Sequence, residues 1–565
     1  MSLHPIPRPL PALLREAGLD VPTTLPDIPV SGISTDSRTI APGEVFVAIP
    51  GLSTDARGYI PAAIARGAVA IVTEGGEVPP STAERPPIIL VPSARVAAAC
   101  LYDAWYDHPA RRLRLVGVSG TNGKTSVSSM LYHILTVAGL PAALIGTVGC
   151  TANTANTVNA TDTANTATLT RPPDGMTTPD PGILYPWLAR LADGLAGRSG
   201  ESTATDTAAS NAIDTPARGE VNVPCPTVIM EVTSHALALG KVAPLRFDLA
   251  IFTNLSPEHL DMHGTMEEYY LTKRRLYEVA REVVLDADDR YGRRLLAEPL
   301  PVRHFHICHA AGLDGLTADH ACPAGDGCCT RYYAESPNLL GEDGVSFKLT
   351  SPDVRLRLAC PTPGRFTVMN ALEAAAAAFA LGVSPAAVRE GLRSFPGVPG
   401  RMERIPLPPQ IPFSVYVDFA HTPDALEHLL GAAHAIRHRG RRIVLLFGCG
   451  GDRDRSKRRA MARVASRMAD SVVITSDNSR TEDPAAIIRD ILGGMDKESE
   501  FAVIPDRREA IRETVRTARP GDIILLAGKG HETYEITRDG KHPFSETAIV
   551  RDAVREFWLQ DRSDT

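Results

Sequence analysis

Val116-Gly-Val-Ser-Gly-Thr-Asn-Gly-Lys-Thr-Ser126 is the stretch on which the fold class turns. The preceding run, Leu113 to Val118, is apolar and rich in valine, which predicts a β-strand. A turn, Gly120 to Gly123, leads to Lys124 and to a helix from about Thr125. Glycines let backbone N–H groups converge on an anion, and a helix N-terminus adds its partial positive charge. Lys124 then reaches the β- and γ-phosphates of a nucleotide, and the Thr125 hydroxyl is offered to Mg²⁺. The first glycine of the usual G-x-x-x-x-G-K-[ST] spacing is displaced, to Gly117 or Gly120. Such a loop means nucleotide handling. Kinase, GTPase and ligase remain open.

Outward from this loop the chain divides into three. Residues 1–110 carry strand-like Glu44 to Ile49 and Ala68 to Val72 around a helical stretch, Pro61 to Gly67. Residues 111–395 hold the phosphate loop. Phe395-Pro-Gly-Val-Pro-Gly400 reads as a linker. Beyond it, residues 396–565 alternate helical patterns with the strands Arg442 to Phe447, Ser471 to Thr475 and Asp522 to Ala527, the signature of a parallel α/β sheet. A chain of 565 residues, 44% apolar and 22% charged, suits several soluble globular domains.

The formal charge of −7 excludes a strongly basic nucleic-acid binder. No apolar run approaches the ~18 residues of a membrane span. The start, MSLHPIPRPLPALL, is broken by four prolines and does not read as a signal peptide. Nine scattered cysteines suit a reducing cytoplasm. Two stretches depart from this plan. Residues 151–170 are nearly all Thr, Ala and Asn, and residues 197–220 hold few large apolar groups, so both are expected to be disordered insertions.

A second set of residues gathers behind the phosphate loop. Glu231 ends the strand-like Thr227-Val-Ile-Met230, placed to hold Mg²⁺ directly or through water. Asp248 to Thr253 is a further strand, ending in Asn254-Leu-Ser-Pro-Glu-His-Leu-Asp-Met-His263. Lys273 follows inside a helical segment, Met266 to Val279. Singly these residues read as solvated strand-end acids, loop histidines and a surface lysine. Their order behind a phosphate loop gives them weight.

That order resembles the Mur ligase family, ATP-dependent amide ligases of peptidoglycan assembly. The matching stretches are Gly120 to Ser126, Glu231 to His235, Thr253 to Gly264, Tyr270 to Lys273, Gly400 to Glu403, Asp418 to Asp424, Gly448 to Asp454 and Gly528 to Glu532. Thr35-Asp-Ser-Arg38 with Gly43 to Ala48 matches near the N-terminus. The likeness is greatest to the E-type branch. It implies three α/β domains: an N-terminal UDP-binding domain, a central P-loop ATPase domain and a C-terminal Rossmann-like domain.

The resemblance also implies site residues. ATP is expected at Gly120, Thr121, Asn122, Gly123, Lys124, Thr125 and Ser126, with Asn370, Arg401, Asp418 and His421. Thr125, Glu231, His259 and Lys273 are the metal positions, with Lys273 as N6-carboxylysine, a carbamate made from CO₂. Lys124, Glu231, His259 and Lys273 are the catalytic set. Ser37, Thr177, Thr178, Thr233 and Lys241 are expected on the UDP-N-acetylmuramoyl-dipeptide. Arg453, Asp477, Asn478, Ser479, Arg480, Gly528 and Glu532 are expected on the incoming amino acid. The sequence departs from the family pattern at Thr233 (commonly Ser), Lys241 (Arg), Glu258 (Asp), Thr367 (often Asn) and Ser479 (Pro).

The implied reaction adds meso-diaminopimelate to the UDP-dipeptide through an acyl phosphate, with Mg²⁺ and ATP, in a cytoplasmic monomer. L-Lysine as the added amino acid is the nearest alternative. Folylpolyglutamate synthetase shares the ATP core, but Asp36-Ser37-Arg38 and Asp477 to Arg480 argue against it. A GTPase lacks support because no Asn-Lys-x-Asp occurs, and a dead scaffold would not keep Lys124, Glu231 and Lys273. The crowd His304, His306, Cys308, His309, His320, Cys322, Cys328 and Cys329 matches no standard zinc spacing and reads as a variable surface loop.

Overall fold

The computed structural model describes residues 7–23, 25–51, 55–75, 86–153, 167–169, 176–196, 225–310, 328–437 and 440–559. Among the described residues three sheets of four or more strands carry the fold, beside two two-stranded pairs. The first has four parallel strands in sequence order, Gly32–Ser34, Glu44–Ala48, Ala70–Thr73 and Ile88–Leu90. Val45, Phe46, Val47, Ile71 and Val72 are wholly buried, as β-branched and aromatic side chains are when both faces of a parallel sheet are covered. The helix Ala94–Trp105 packs on it, its start capped by the Ser93 hydroxyl, which accepts from the Val96 amide.

The second sheet has eleven strands. Arg114–Ser119 lies inside it, between Thr227–Glu231 and Phe247–Phe252, all parallel. Three more parallel strands follow on one side, Ala280–Asp286, His304–His309 and Cys329–Leu339, then antiparallel Val345–Thr350 and Arg355–Cys360. Ala142–Gly146 pairs parallel on the other side of Thr227–Glu231. The third sheet has five parallel strands, with Ile443–Phe447 and Ile523–Ala527 at its centre, and one antiparallel edge strand, Glu403–Arg404.

The cores divide unevenly. One apolar cluster joins the first sheet to the second: Leu13, Val45, Val72 and Trp105 share it with Leu115, Ala143, Phe252 and Tyr277. The third sheet has two clusters of its own, one on each face. Between them the chain from Phe395 to Gly400 is tightly seated. Val398 is in the core, and Gly400 (φ +68°) packs so closely that an added Cβ would lie 2.0 Å from the His531 amide nitrogen.

Two expectations need correction. The stretch 151–170 is ordered at both ends: Gly149–Ala152 is a strand, and Ala167–Leu169 pairs antiparallel with it. Backbone hydrogen bonds hold such an edge without large side chains, and a composition argument does not detect them. Residues 154–166, 170 and 197–220 lie outside the described residues. His304 to His309 is no surface loop. Phe305, Ile307 and Cys308 are buried in a strand flanked on both sides by parallel partners. Apolar residues between the histidines marked that strand. Among the described residues no three His, Cys, Asp or Glu converge on a metal position; His320 and Cys322 lie outside them.

Candidate active site

Ligands of parallel α/β sheets bind beyond the carboxyl ends of the strands. Three strand ends meet here. Ser119 leads into the phosphate loop, Glu231 ends its neighbour, and Phe252 leads to Thr253 and Asn254. The loop is fastened from this third strand end. Thr253 Oγ1 and Asn254 Nδ2 donate to the Asn122 carbonyl, and the Asn122 amide donates to Asn254 Oδ1 (2.9 Å). The fit leaves no room for side chains. A Cβ on Gly120 (φ +153°) would sit 2.0 Å from Thr253 Oγ1, and one on Gly123 (φ +84°) 2.8 Å from Asn370 Oδ1.

Lys124 folds back on its own loop. Its Nζ donates to the carbonyls of Gly120 (2.9 Å) and Thr121 (2.7 Å). Lys273 lies on the helix Met266–Glu278, which is fixed by a capping box between Thr265 and Glu268. Its Nζ donates to the same Gly120 carbonyl (2.8 Å) and stands 5.0 Å from the centre of the Tyr269 ring. Lys273 is 1% exposed. Burial first, then the Lys124 charge, hold its amine well below the usual lysine range.

Glu231 is wholly buried, and no lysine or arginine forms an ion pair with it among the described residues. Its oxygens accept from the Thr147 amide, the Thr147 hydroxyl and the Thr125 hydroxyl, each at 3.0 Å. Room for it depends on Gly146, where an added Cβ would lie 2.2 Å from Oε1. His259, in left-handed backbone (φ +57°), packs edge-on against His235 at 4.8 Å. Desolvation first, then His235 and the two lysines, outweigh Glu258 and pull the imidazole down to about 4. At neutral pH its ring is uncharged, with a lone pair to offer a metal.

A cavity of about 150 Å³ opens beside the loop, lined by Thr121 to Ser126 and by Asn370, Arg401 and Asp418. Phe366, Phe395, Val398 and Met402 give it an apolar wall. Gly120 and His421 stand outside this lining; His421 Nδ1 faces the Phe419 carbonyl at 2.8 Å. Thr367 is buried and spends its hydroxyl on the Pro363 carbonyl.

The residues expected on the UDP-dipeptide fall into two groups. Thr177 Oγ1 lies 3.2 Å from Thr147 Oγ1, and Thr178 Oγ1 donates to the Glu231 carbonyl, which ties them to the acid. Thr233 caps the helix Ser234–Ala238, and Lys241 is buried in an ion pair with Asp180 (2.7 Å). Ser37 lies apart, just beyond the strand Gly32–Ser34, between the paired Asp36 and Arg38.

The residues expected on the amino acid form one cluster in the third sheet. Asn478 Nδ2 donates to Glu532 (2.7 Å), and its Oδ1 accepts from Lys529 Nζ (2.9 Å) and the Ile536 amide. Although burial pushes the Asp477 carboxyl up, Arg507 and Lys529 hold it below the usual range. Gly528 (φ +116°) leaves space for Asp477. Ser479 is buried. Arg480 (φ +53°) is half-buried and donates to the carbonyls of Gly451 and Asn478. Arg453 is exposed and donates to the neighbouring Asp452 carbonyl.

Sequence reasoning missed Thr147, Asn254, Asp424 and Lys529 as site residues. Three of them stand inside matched motifs. Thr147 carried one faint signal, a Gly-Thr step after an apolar run.

A strand, phosphate loop and helix, with a buried strand-end acid and two further α/β units closing on it, define a P-loop enzyme of three α/β units. Comparisons specify the family. Residues 29–106 match the Mur ligase family catalytic domain, residues 118–177 and 184–378 the Mur ligase middle domain, and residues 400–530 the Mur ligase glutamate ligase domain. The UDP-N-acetylmuramoyl-L-alanyl-D-glutamate–2,6-diaminopimelate ligase of Synechococcus elongatus is 37% identical over 94% of this chain and 95% of its own. The protein of that name in Solibacter usitatus is 36% identical over 94% of each chain. A solved structure bearing that name superposes with a TM-score of 0.59 at 28% identity, over 96% of this chain and 98% of its own. A D-alanyl-D-alanyl-adding ligase from Acinetobacter baumannii shares the fold, with a TM-score of 0.53 at 16% identity over 94% and 97%. The chain belongs to the Mur ligase family.

Proposed function

We propose that this chain is the ATP-dependent amide ligase that adds meso-2,6-diaminopimelate to UDP-N-acetylmuramoyl-L-alanyl-D-glutamate, acting as a cytoplasmic monomer in peptidoglycan precursor synthesis. The observation that carries this reading is near-full-length identity to ligases that share one substrate name. The buried acid, hydroxyl and lysines around the phosphate loop agree with it.

Thr125 Oγ1 and Glu231 Oε2 stand 3.0 Å apart, two oxygen donors of the kind Mg²⁺ takes, so these residues would hold it. His259 would complete the set through its neutral ring. Mg²⁺, when bound, offsets charge on the phosphates. Burial holds the Lys273 amine well below the usual lysine range; in its uncharged form it can attack CO₂, lose a proton and become an anionic carbamate, which suits a metal site where an ammonium would not. Lys124 would exchange its two loop carbonyls for γ-phosphate oxygens. Asn370, Arg401, Asp418 and His421 would complete the ATP site.

The D-glutamate carboxylate attacks the γ-phosphorus and ADP leaves, giving an acyl phosphate. The incoming amine attacks the acyl carbon, phosphate leaves and the amine loses a proton. Ser37, Thr177, Thr178, Thr233 and Lys241 would bind the UDP-dipeptide, with Lys241 exchanging Asp180 for a ligand anion. Arg480, aided by Arg453, would grip a diaminopimelate carboxylate in a bidentate, charge-assisted way. Glu532 would take the distal ammonium, framed by Asp477, Asn478, Ser479 and Gly528.

ADP release with ATP and the UDP-dipeptide, measured across a panel of amino acids, tests this reading. Release is expected with meso-diaminopimelate. Efficient use of L-lysine with diaminopimelate inert would overturn the amino-acid assignment and keep the ligase.

A further inference from the structure

Asp424 belongs to the C-terminal unit, in the first turn of the helix Pro423–Ile436. An acid there is ordinarily explained by its own helix, whose N-terminus favours negative charge. Here the cap is already supplied, since the Thr422 hydroxyl accepts from the Ala425 amide. The carboxylate instead leaves its unit. Oδ2 accepts from Asn122 Nδ2 at 2.6 Å and from Ser256 Oγ at 2.9 Å. Both donors belong to the central unit, on its two neighbouring strand-end loops.

Those loops are stitched to each other. The Ser256 amide donates to Thr121 Oγ1 (3.0 Å), which donates back to the Ser256 carbonyl (3.2 Å). The Asn122 backbone is wholly engaged by Thr253 and Asn254. Its side-chain amide is the part left to reach outward. One oxygen of the C-terminal unit thus spans both loops beside Lys124.

We propose that Asp424 is a positioning residue that couples seating of the C-terminal unit to the shape of the phosphate loop. The inference rests on the ligase reading above. When the C-terminal unit is seated, Asp424 fixes Asn122 and Ser256 and aligns the loop for phosphoryl transfer. When it lifts, both bonds break together, and water reaches any acyl phosphate already formed.

The test compares Asp424→Ala, Asn122→Ala and the double variant in the full-length protein. In turnover with ATP, Mg²⁺, UDP-dipeptide and diaminopimelate, Asp424→Ala is expected to lower kcat about tenfold or more. KM for the UDP-dipeptide should stay within about twofold, because the Asp424 contacts fall on Asn122 and Ser256 and not on Ser37, Thr177, Thr178, Thr233 or Lys241. ADP released per amide formed should rise above one. The double variant should be no worse than the worse single one, the mark of a shared contact. Small-angle scattering with Mg²⁺ and a non-hydrolysable ATP analogue should show Asp424→Ala more extended than wild type. Additive losses with one ADP per amide, or an unchanged scattering profile, would overturn the proposal. A wild-type protein that forms no amide, yet compacts in an Asp424-dependent way, would sink the ligase reading alone.

Discussion

The two ends of the reaction path handle charge in opposite ways. Around the phosphate loop, Lys124, Lys273 and Glu231 have no ion-pair partner among the described residues. The lysines lean on carbonyls, and the acid is met by hydroxyls and an amide. At the amino-acid cluster most charges are balanced internally. Lys529 stands 3.5 Å from Asp477, buried Arg507 bonds Glu546 at 2.9 Å, and Arg458 bridges Glu482 and Asp490. Arg480 and Arg453 are the exceptions, held by carbonyls among the described residues. Buried charge without a counter-ion is costly. On the function proposed above, the difference marks where a ligand's charge would belong: phosphates and a cation at one end, a carboxylate at the other.

The sharpest way to break this comparison is Glu231→Gln. It keeps the size and removes the charge that a cation would meet. ADP release should fall by about 10²–10³-fold, comparable with losing a main electrostatic contact in other active sites. Mg²⁺ should no longer raise the melting temperature in the presence of nucleotide. Retained Mg²⁺-dependent turnover would show that the hydroxyls around Glu231 serve structure alone.

Lys273→Ala should cost about 10²-fold in turnover. Added formate or acetate should restore part of it by supplying the missing carboxylate. Turnover equal to wild type would end the carbamate assignment.

A smaller effect is expected at the balanced end. Removing Arg480 leaves one ligand carboxylate unpaired, at a cost of about 2–5 kcal/mol. Arg480→Ala should raise KM for diaminopimelate about tenfold or more and leave KM for ATP alone. Equal weakening of both would mean that Arg480 supports the fold.

Glu373 sharpens the comparison from a third side. It is wholly buried in the helix Phe366–Ala380, and neither oxygen has a hydrogen-bond partner among the described residues. Burial first, then Asp286 and Asp289, push its carboxyl well above the usual range. Asp286 is itself pushed up to about 8. The folded state then binds more protons than the unfolded chain, so stability should fall as pH rises from about 4.5 towards 8. Glu373→Gln should flatten that fall and melt about 2–4 °C above wild type at pH 8. Parallel melting curves for the two proteins would show that the acid is ionised.

Much of this arrangement was legible beforehand. Leu113 to Val118 was read one residue early against the strand Arg114–Ser119, because apolar valines carry the signal and Ser119 does not. Glu231 and Lys273 were legible through their order behind the loop. What places them was not. Thr147 reaches Glu231 across 84 residues, and Asp424 reaches Asn122 across 302; local pattern does not encode such distant contacts. Thr151 and His304 to His309 misled for a related reason. Composition described their side chains, while neighbouring strands settled their backbone.

The apolar cluster that joins the first sheet to the second has a consequence for heating and for movement. Leu13, Val72 and Trp105 cannot leave Leu115, Ala143 and Tyr277 without exposing a common interior to water. The first two units are therefore one thermodynamic body, expected to lose structure in a single calorimetric event. The third sheet, whose core lies in two separate clusters with Phe366 of the central unit packed against one of them, is free to melt in a separate one. In the working enzyme the same division assigns the swing. On the ligase reading proposed above, the C-terminal unit would travel, while Ser37 stays fixed to the phosphate loop through that shared core, like the bed of a vice beneath its moving jaw.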